Sequence, residues 1–572
     1  MCEFRPIATI CWMSPDNQVI SERATFKARI GDWRRELEAI FSQHSDCLAA
    51  FVVALGFCWR AWLAHATFFN VDEAWHYSIA NQDSLLHAYR ASLMLYHPPL
   101  LVFVLYFWRN LGTSDLVLRL PCVIAGSVFC WLYYKWLATI LGRTVAWAGL
   151  LFVTFLPTMI ATSADLRQYP LMLMFSAAAA CLLECSFARN SVGMMLLSSI
   201  CLVLAMLSHY SGFLFAASLG VYAVLRMFTQ PVSPGVIAAW SAGQAMGFAL
   251  ACFLYVTQIA TLRGIYVGAQ PFHRFADWYM PQYYYHPGHD ELLLFLFRGT
   301  FGIFRFVFSW VIIGHLATVL FVVGVTLLLR RKSPPTALPA YLAGILLLVP
   351  FVLNWVAVAA GLYPYGRTRH CIFLAIFGLA GVSVALAGIA KQRTALALGL
   401  TIGIIILCQV FGTQPGHDML PLADQRHEHM DQVLAFIRHE VTPDDVIYLN
   451  KSTEFQIAHY LCDQKPVVFD RSVAGFESFQ CHGLRVISSF PNDDGVVLET
   501  FPVKWREMAR AYGLKPESKV WVVQGGWSRG FAQLLRDRFR EYSGLEAHPF
   551  GHYLEIFQVT VGEAVPGTAN QP

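Results

Sequence analysis

The chain contains a series of apolar runs, most of them about 20 residues long. A helix of that length crosses the hydrocarbon core of a bilayer and satisfies its backbone polar groups within the segment. Only 14% of the residues are charged, against about 25% in soluble proteins. The sequence therefore predicts a mainly α polytopic membrane protein with about 11 transmembrane helices. The predicted spans are 48–67, 116–136, 145–162, 171–188, 192–208, 211–228, 236–258, 300–329, 337–360, 371–390 and 395–411.

The two ends of the chain differ from this membrane domain, which occupies residues 48–411. Residues 1–47 are polar and basic, and they predict an amphipathic segment on the cytoplasmic leaflet. They are too long and too polar for a signal peptide, so we expect the first span to be retained. Across 412–572 the hydrophobic period alternates between helix and strand, which is typical of a soluble α/β domain. We interpret the end of that region, after about residue 561, as a disordered tail.

The segment 98–109 decides the topology. Its apolar run of about 10 residues is short for a span, so we interpret it as interfacial or re-entrant. The basic residues of the short loops then share a side with the N-terminal segment, as cytoplasmic loops should. These residues are Lys135, Arg143, Arg189, Arg226, Arg330, Arg331, Lys332, Lys391 and Arg393. The C-terminal domain is therefore expected on the non-cytoplasmic side.

Several classes of protein fit this chain poorly. No Asp, Glu, Lys or Arg is placed at the middle of a predicted span, which argues against an ion-coupled transporter. The net charge of +4 gives no indication of nucleic-acid binding. Most of the 14 cysteines lie in apolar runs, where Cys acts as a small hydrophobic residue. In the C-terminal domain, Cys462 and Cys481 are either a disulfide or two free thiols.

An acidic pair, Asp72 and Glu73, follows the first span directly. Acidic residues beside a bilayer add no stability, so they indicate a functional site, the alternative being a solvated loop. Adjacent side chains point in different directions, so one carboxylate can accept a proton while the other binds substrate, metal or backbone. His76 shares the face of Asp72 if the segment is helical. It is either a proton partner or ligand, or a routine interfacial histidine.

Basic residues lie at helix mouths, by which we mean the helix ends on the non-cytoplasmic side. The positive-inside rule disfavours basic residues on that side. Arg167 follows Asp165 and precedes Gln168 and Tyr169 at one mouth, and the sequence GRTRH supplies Arg367, Arg369 and His370 at another. They predict an anion such as a lipid phosphate, the alternative being arginines that snorkel to the interface. Arg119 either snorkels or pairs with the acidic loop.

Two further segments carry polar chemistry. His97-Pro98-Pro99 presents an imidazole at the start of an apolar helix. The aromatic loop 272–291 is either an interfacial belt or a surface for a sugar or lipid headgroup. Its residues His286, His289, Asp290 and Glu291 are candidate metal ligands without a recognisable ligand spacing.

In their order along the chain, these motifs resemble a known group of proteins. The acidic pair after the first span, the HPPL segment, the R-L-P helix start and the R-x-Y-P-L mouth resemble the GT-C glycosyltransferases. The most similar group is the protein O-mannosyltransferase/ArnT-like superfamily (glycosyltransferase family 39/83-like) of bacterial membrane enzymes. The resemblance covers roughly residues 48–410 and leaves the C-terminal domain uncovered.

The resemblance implies that a sugar is taken from a polyprenyl-phosphate donor, with inversion at the anomeric carbon. It implies that Asp72 is the catalytic base and Glu73 its neighbour in the donor or acceptor site. It also assigns a set of residues to the donor phosphate or its surroundings. They are His97, Arg119, Arg167, Tyr169, Arg367, Arg369 and His370.

The resemblance also bears on cofactors, partners and location. An Asp that relatives often carry is absent at Gln168-Tyr169, which puts a metal-dependent mechanism in doubt. No cofactor is assigned, and a divalent cation stays open. The acceptor is a lipid, a glycan or a protein, and no nucleic acid is expected. The site is expected on the periplasmic or extracellular face of the bacterial inner membrane.

Two other functions fit parts of the pattern. A transporter or flippase of lipid-linked sugars would use the same phosphate-binding arginines. A membrane scaffold that presents the C-terminal domain would leave the acidic pair without a role.

Overall fold

The computed structural model describes residues 43–266, 280–331, 339–412, 425–463, 470, 473, 475–489, 501–525 and 530–561. Nearly all of the predicted N-terminal amphipathic segment lies outside these residues. So do part of the aromatic loop, at 272–279, and the predicted tail after residue 561.

The membrane part of the described chain is helical. Its helices are α1 (Ser45–Ala66), α2 (Val71–Ala80), α3 (Leu85–Ser92), α4 (Leu100–Trp108), α5 (Asp115–Ile140), α6 (Arg143–Phe155), α7 (Pro157–Ala164), α8 (Tyr169–Arg189), α9 (Val192–Ser208), α10 (Ser211–Thr229), α11 (Pro234–Leu254), α12 (Ala260–Tyr266), α13 (Leu292–Phe308), α14 (Val311–Arg330), α15 (Ala340–Ala359), α16 (Leu374–Ile389) and α17 (Thr394–Phe411). A π-helical turn, Tyr255–Ile259, joins α11 to α12.

The length and composition of these helices agree with the predicted class. Among the described residues, eight helices are long and apolar enough to cross a membrane, or nine if the bent pair α6 and α7 is one span. The shorter apolar helices α9 and α16 coincide with two further predicted spans. The prediction of a mainly α, multi-pass membrane protein is confirmed.

Two of the predicted segments differ in detail. The segment 98–109 forms the short helix α4, followed by a single 3-10 turn at Arg109–Leu111. The predicted span 300–329 is wrong at its start, because α13 ends at Phe308 and Ser309 turns the chain with a φ of 58°. The apolar composition continues across this turn, so hydropathy alone does not locate it.

The expectation that no charged residue lies at the middle of a span needs one correction. Arg60 lies within α1 and is only 1% exposed. Its guanidinium donates to the carbonyls of Val153 at 2.8 Å and Thr154 at 3.1 Å. These carbonyls lie just before the break between α6 and α7, where Pro157 has no N–H to offer. Arg60 therefore satisfies polar groups that the helix break leaves open.

The C-terminal region is an α/β domain, as predicted. Six strands form one sheet in the order β2-β3-β1-β4-β6-β5, in which β1 pairs in parallel with β3 and β4. The strands are β1 (Val446–Leu449), β2 (Phe476–Cys481), β3 (Leu484–Ser489), β4 (Lys519–Gln524), β5 (Ala547–Phe550) and β6 (Leu554–Thr560). The helices are α18 (His427–Glu440), α19 (Lys451–Leu461), α20 (Phe501–Ala511) and α21 (Phe531–Arg538). Helices α18 and α19 cover one face of the sheet, and α20 and α21 cover the other. Of the two alternatives for its cysteines, Cys462 and Cys481 form a disulfide.

Candidate active site

The acidic pair lies in the first turn of α2, and the sequence fixes where that helix begins. The side chain of Asn70 accepts a hydrogen bond from the Glu73 N–H at 3.1 Å. In return, Glu73 Oε2 accepts from the Asn70 N–H at 2.8 Å. This reciprocal capping box defines the helix start and places both carboxylates at the positive end of the helix dipole.

Glu73 is fully buried and paired with Arg119, which is also fully buried. Arg119 donates through Nε to Oε1 and through Nη2 to Oε2 of Glu73, both at 2.7 Å. The Leu166 N–H adds a third hydrogen bond, at 2.7 Å. The remaining Arg119 donors reach the main-chain carbonyls of Ala64, Thr67 and Phe68. Arg119 therefore does not snorkel to the interface. It pairs with Glu73 of the acidic loop, behind Asp72.

Asp72 points away from this buried pair. Its Oδ2 lies 2.9 Å from Arg167 Nη1 in an ion pair and accepts a hydrogen bond from Arg369 Nη2. The Asp72 side chain is 19% exposed, so its carboxylate lies at the edge of the buried region. Burial alone raises the pKa of Asp72, but the Arg167 and Arg369 guanidinium groups outweigh it and lower the pKa below its usual range. Asp72 is therefore an ionised carboxylate held between two cations.

Four histidine rings lie beside this ion pair. The Nδ1–H of His76 donates to the Asp72 carbonyl at 2.6 Å. The ring centroids of His76 and His97 are 6.0 Å apart, those of His97 and His209 are 5.1 Å apart, and those of His209 and His370 are 5.6 Å apart. The Tyr169 ring lies 4.9 Å from that of His209. The structure thus brings together three of the predicted site residues, His97, Tyr169 and His370, with His76 and His209.

These imidazoles are neutral. Burial, reinforced by Arg167, lowers the pKa of His76 to about 3 and that of His209 to about 3. Burial and the neighbouring His209 lower the pKa values of His97 and His370 well below 6.5. The charged groups that meet directly here are therefore Asp72 and the guanidinium groups of Arg167 and Arg369.

Two other polar residues border the site. Asp165, in the turn between α7 and α8, is half-buried, and burial together with Glu73 raises its pKa to about 7. Arg367 is half-buried, and its backbone packs against Gly302 of α13. The structure thus joins Arg167 and Arg369 directly to Asp72, while Arg119 lies behind it and Arg367 lies two residues before Arg369.

His209 was not among the predicted site residues, although the sequence carries a signal for it. His209 lies between α9 and α10, where the predicted topology puts a short connection on the same side as Asp72. A search for polar residues at all helix mouths of that side would have included it.

The donor atoms around Asp72 do not suit a divalent cation. In the described ranges, no group of three or more His, Cys, Asp or Glu side chains is placed to hold a metal ion. The Asp72 carboxylate is occupied by two guanidinium groups, which repel a cation. Among the candidate ligands of the aromatic loop, Asp290 accepts from the His286 N–H at 2.8 Å, which is a local turn.

Comparison with known proteins gives one family and a common fold. Residues 96–256 match the family model described as dolichyl-phosphate-mannose-protein mannosyltransferase. ArnT from Cupriavidus metallidurans bound to undecaprenyl phosphate is similar in structure, with 13% identity, a TM-score of 0.50, and coverage of 92% of this chain and 100% of that chain. Its apo state gives the same values. The Archaeoglobus fulgidus oligosaccharyltransferase in its apo form gives 12% identity, a TM-score of 0.45, and coverage of 85% and 70%. No curated protein sequence matches the chain.

The helical bundle, its α/β domain and the charged site at their junction define a membrane protein with the GT-C fold. The matched segment contains His97, Arg119, Arg167 and His209. The resemblance to the protein O-mannosyltransferase/ArnT-like superfamily is confirmed by these findings.

Proposed function

We propose that this protein is a glycosyltransferase that moves a sugar from a polyprenyl-phosphate donor to an acceptor hydroxyl. The observation that carries the proposal is the ion pair of Asp72 with Arg167 and Arg369. It combines a carboxylate that can accept a proton with two cations that can hold a phosphate. The similarity to ArnT bound to undecaprenyl phosphate supports a lipid-phosphate ligand.

The arginines stabilise the leaving group. A polyprenyl-phosphate sugar is a phosphodiester, and negative charge grows on its phosphate as the bond to the sugar breaks. Fixed donors that meet this charge only in the transition state lower the activation free energy. In known oxyanion sites each such donor contributes about 3 kcal/mol. Arg167 Nε is buried without a hydrogen-bond partner among the described residues, so it offers the phosphate an unused N–H.

Asp72 receives the proton of the acceptor. Its lowered pKa makes it a weak base for a hydroxyl, so the proton transfers late, as the bond from the acceptor oxygen to the anomeric carbon forms. The hydroxyl attacks opposite the phosphate, and the polyprenyl phosphate leaves with the bonding electron pair. A single displacement of this kind inverts the anomeric carbon.

The neutral histidines and Glu73 have supporting roles in this proposal. His76 Nε2 and His97 Nδ1 are buried without partners in the described part of the chain. They are placed to exchange hydrogen bonds with sugar hydroxyls, with Tyr169 and His370 in the same wall. Glu73 and Arg119 position the turn that carries Asp72, because their mutual hydrogen bonds leave neither facing the substrate. No step requires a metal.

The location of the site is part of the proposal. The loops that carry Asp72, Arg167 and Arg369 meet at one face of the bundle, next to the α/β domain. The disulfide of that domain suits an oxidising compartment. We therefore assign this face to the periplasmic or extracellular side of a bacterial inner membrane.

A reconstituted assay tests the proposal. Purified protein in proteoliposomes receives radiolabelled polyprenyl-phosphate sugars, beginning with mannose, and a membrane extract as acceptor. Transfer that Asp72→Asn abolishes and Asp46→Asn preserves supports the proposal, since Asp46 is an exposed acid that pairs with Lys135. Movement of the donor across the bilayer without transfer would instead identify a transporter. A wild-type protein that does neither would contradict both functions.

A further inference from the structure

The four residues Thr67–Asn70, here called the entry segment, connect α1 to the helix that carries Asp72. The C-terminal domain holds this segment by its main chain. The Phe68 N–H donates to the Gln425 carbonyl at 2.9 Å, and Gln425 Nε2 donates back to the Phe68 carbonyl at 2.7 Å. The same amide lies 3.4 Å from Glu73 Oε2. The Phe68 ring is buried in the core of the α/β domain, with its centroid 6.0 Å from that of Tyr553.

The next residue, Phe69, is held by α19 of the same domain. Its N–H donates to the Tyr460 hydroxyl at 2.6 Å, and its carbonyl accepts from Gln456 Nε2 at 2.6 Å. Its ring stacks on His459 at 4.9 Å between centroids. The Arg119 guanidinium also lies over this ring, 4.8 Å from its centroid. Phe69 is thus in contact with both the α/β domain and the cation that fixes Glu73.

Tyr460 closes a ring of contacts between the two domains. Its hydroxyl donates to the carboxylate of Asp115, which begins α5 and lies one helical turn before Arg119. His427 Nε2 lies 3.2 Å from the same carboxylate. The ring therefore runs from Glu73 through Arg119 and α5 to Asp115, through Tyr460 to Phe69, and back to Glu73. Asp72 lies beside Glu73 in this ring.

The entry segment depends on these contacts for its polar groups. Both N–H groups and both carbonyls of Phe68 and Phe69 are hydrogen-bonded to the α/β domain, although Phe68 O also accepts from Arg119. Both residues are fully buried, so water cannot replace the partners. Any shift of the domain therefore moves the start of α2 and the carboxylate of Asp72.

From this geometry we infer that the C-terminal α/β domain is a positioning domain for the catalytic base. Tyr460 and Gln425 are its positioning residues, and they act on Asp72 through the entry segment and the Glu73–Arg119 pair. The inference rests on the proposed function. Under this inference the domain contributes to the reaction itself, because it positions Asp72.

Conservative variants of the full-length protein test this role. Tyr460→Phe removes one hydroxyl and keeps the ring, and Gln425→Met keeps the length of the side chain without its hydrogen bonds. Each should lower kcat by about 10- to 100-fold, because a misplacement of about 1 Å costs on that order. Binding of undecaprenyl phosphate should change less than about twofold, because the arginines remain. The acid limb of the pH profile of kcat should move to higher pH. Asp72 loses part of its contact with Arg167 and Arg369, so its pKa is lowered less.

A matched control is available on the other side of the sheet. Tyr512 lies in the half of the domain that packs on α20, so Tyr512→Phe makes the same chemical change away from the entry segment. It should retain wild-type kinetics. Wild-type kcat and an unshifted acid limb in both Tyr460→Phe and Gln425→Met would overturn the inference. So would an equal loss of kcat, undecaprenyl-phosphate binding and thermal stability, which indicates general unfolding. A wild-type protein that neither binds undecaprenyl phosphate nor transfers sugar would overturn the proposed function instead.

Discussion

The guanidinium of Arg369 binds the carboxylate of Asp72, although the two residues lie 297 positions apart in the sequence. The pair joins the mouth of α16 to the first turn of α2. Arg167, from the mouth of α8, binds the same carboxylate. A carboxylate and two guanidinium groups at one point can hold a phosphate and accept a proton.

Replacing Arg369 with Gln should weaken donor binding and slow chemistry together. The phosphate gains charge as its bond to the sugar breaks, so a lost guanidinium costs more in the transition state than in the ground state. We expect kcat/KM to fall by about 100-fold, as for the loss of one strong oxyanion donor. Arg369→Lys should rescue part of this loss, because it keeps the charge without the bidentate fork. Steady-state kinetics with a polyprenyl-phosphate sugar measure KM, for donor binding, and kcat, for the chemical step.

The same substitutions at Arg167 should have the same effect, since Arg167 contacts the same Asp72 oxygen. Arg438→Gln is the matched control, because Arg438 is exposed in the last turn of α18. Wild-type kinetics in both Gln variants of the site would mean that these arginines only anchor helices.

Glu73→Gln should act on stability. The substitution leaves Arg119 buried without its charged partner, and breaking a buried ion pair typically costs about 3–5 kcal/mol. The midpoint of thermal unfolding in detergent should fall clearly, whereas the exposed control Glu440→Gln should leave it unchanged. A Glu73→Gln protein with wild-type thermal stability and no turnover would assign Glu73 to the chemistry instead.

Donor affinity should depend on pH near neutrality. Asp165 has a pKa raised to about 7, so it is neutral below that pH and anionic above it. The nearby histidines stay neutral and Asp72 stays ionised across this range, because their pKa values are lowered. A phosphodiester donor keeps one charge, so its KM should rise about 3- to 10-fold between about pH 6 and pH 8, from repulsion on the order of 1 kcal/mol. Asp165→Asn should remove the dependence, and an unchanged profile in that variant would exclude Asp165 as its source.

The two ends of the bundle should face opposite compartments. Lys391 and Glu440 are exposed and lie on opposite sides of the predicted topology. Cysteines introduced at these positions should react with an impermeant reagent from opposite sides of the membrane. The background must lack the exposed thiols Cys47, Cys58 and Cys252, and also Cys2 and Cys11 of the N-terminal segment. Labelling of both positions from one side would refute the topology.

Sequence reasoning reached the two arginines and Asp72 because hydropathy and the positive-inside rule place their loops on one side. Neighbouring residues diverge by about 100° on a helix, however, so the pair Asp72-Glu73 alone does not tell which carboxylate is buried. The pattern Asn-x-x-Glu from Asn70 to Glu73 carried that information, since it is a capping box. Read as such, it would have predicted that Glu73 faces its own backbone.

The docking of the C-terminal domain could not be predicted in the same way. It depends on the fit of Phe68 into a core formed by residues from position 430 onward, and on hydrogen bonds with Gln425 and Tyr460. Such contacts have no local period or motif. The turn at Ser309 was missed for a related reason, because the residues on both sides of it are apolar.

The most direct test of the central claim is the turnover of Asp72→Asn with a radiolabelled polyprenyl-phosphate sugar, measured beside its binding of undecaprenyl phosphate. The amide keeps the size of the carboxylate and cannot accept the acceptor's proton. We predict that kcat falls by about 100- to 10,000-fold, as for the loss of a general base, while undecaprenyl phosphate still binds. Turnover above about a tenth of wild type, well outside that range, would contradict the role of Asp72 as the catalytic base.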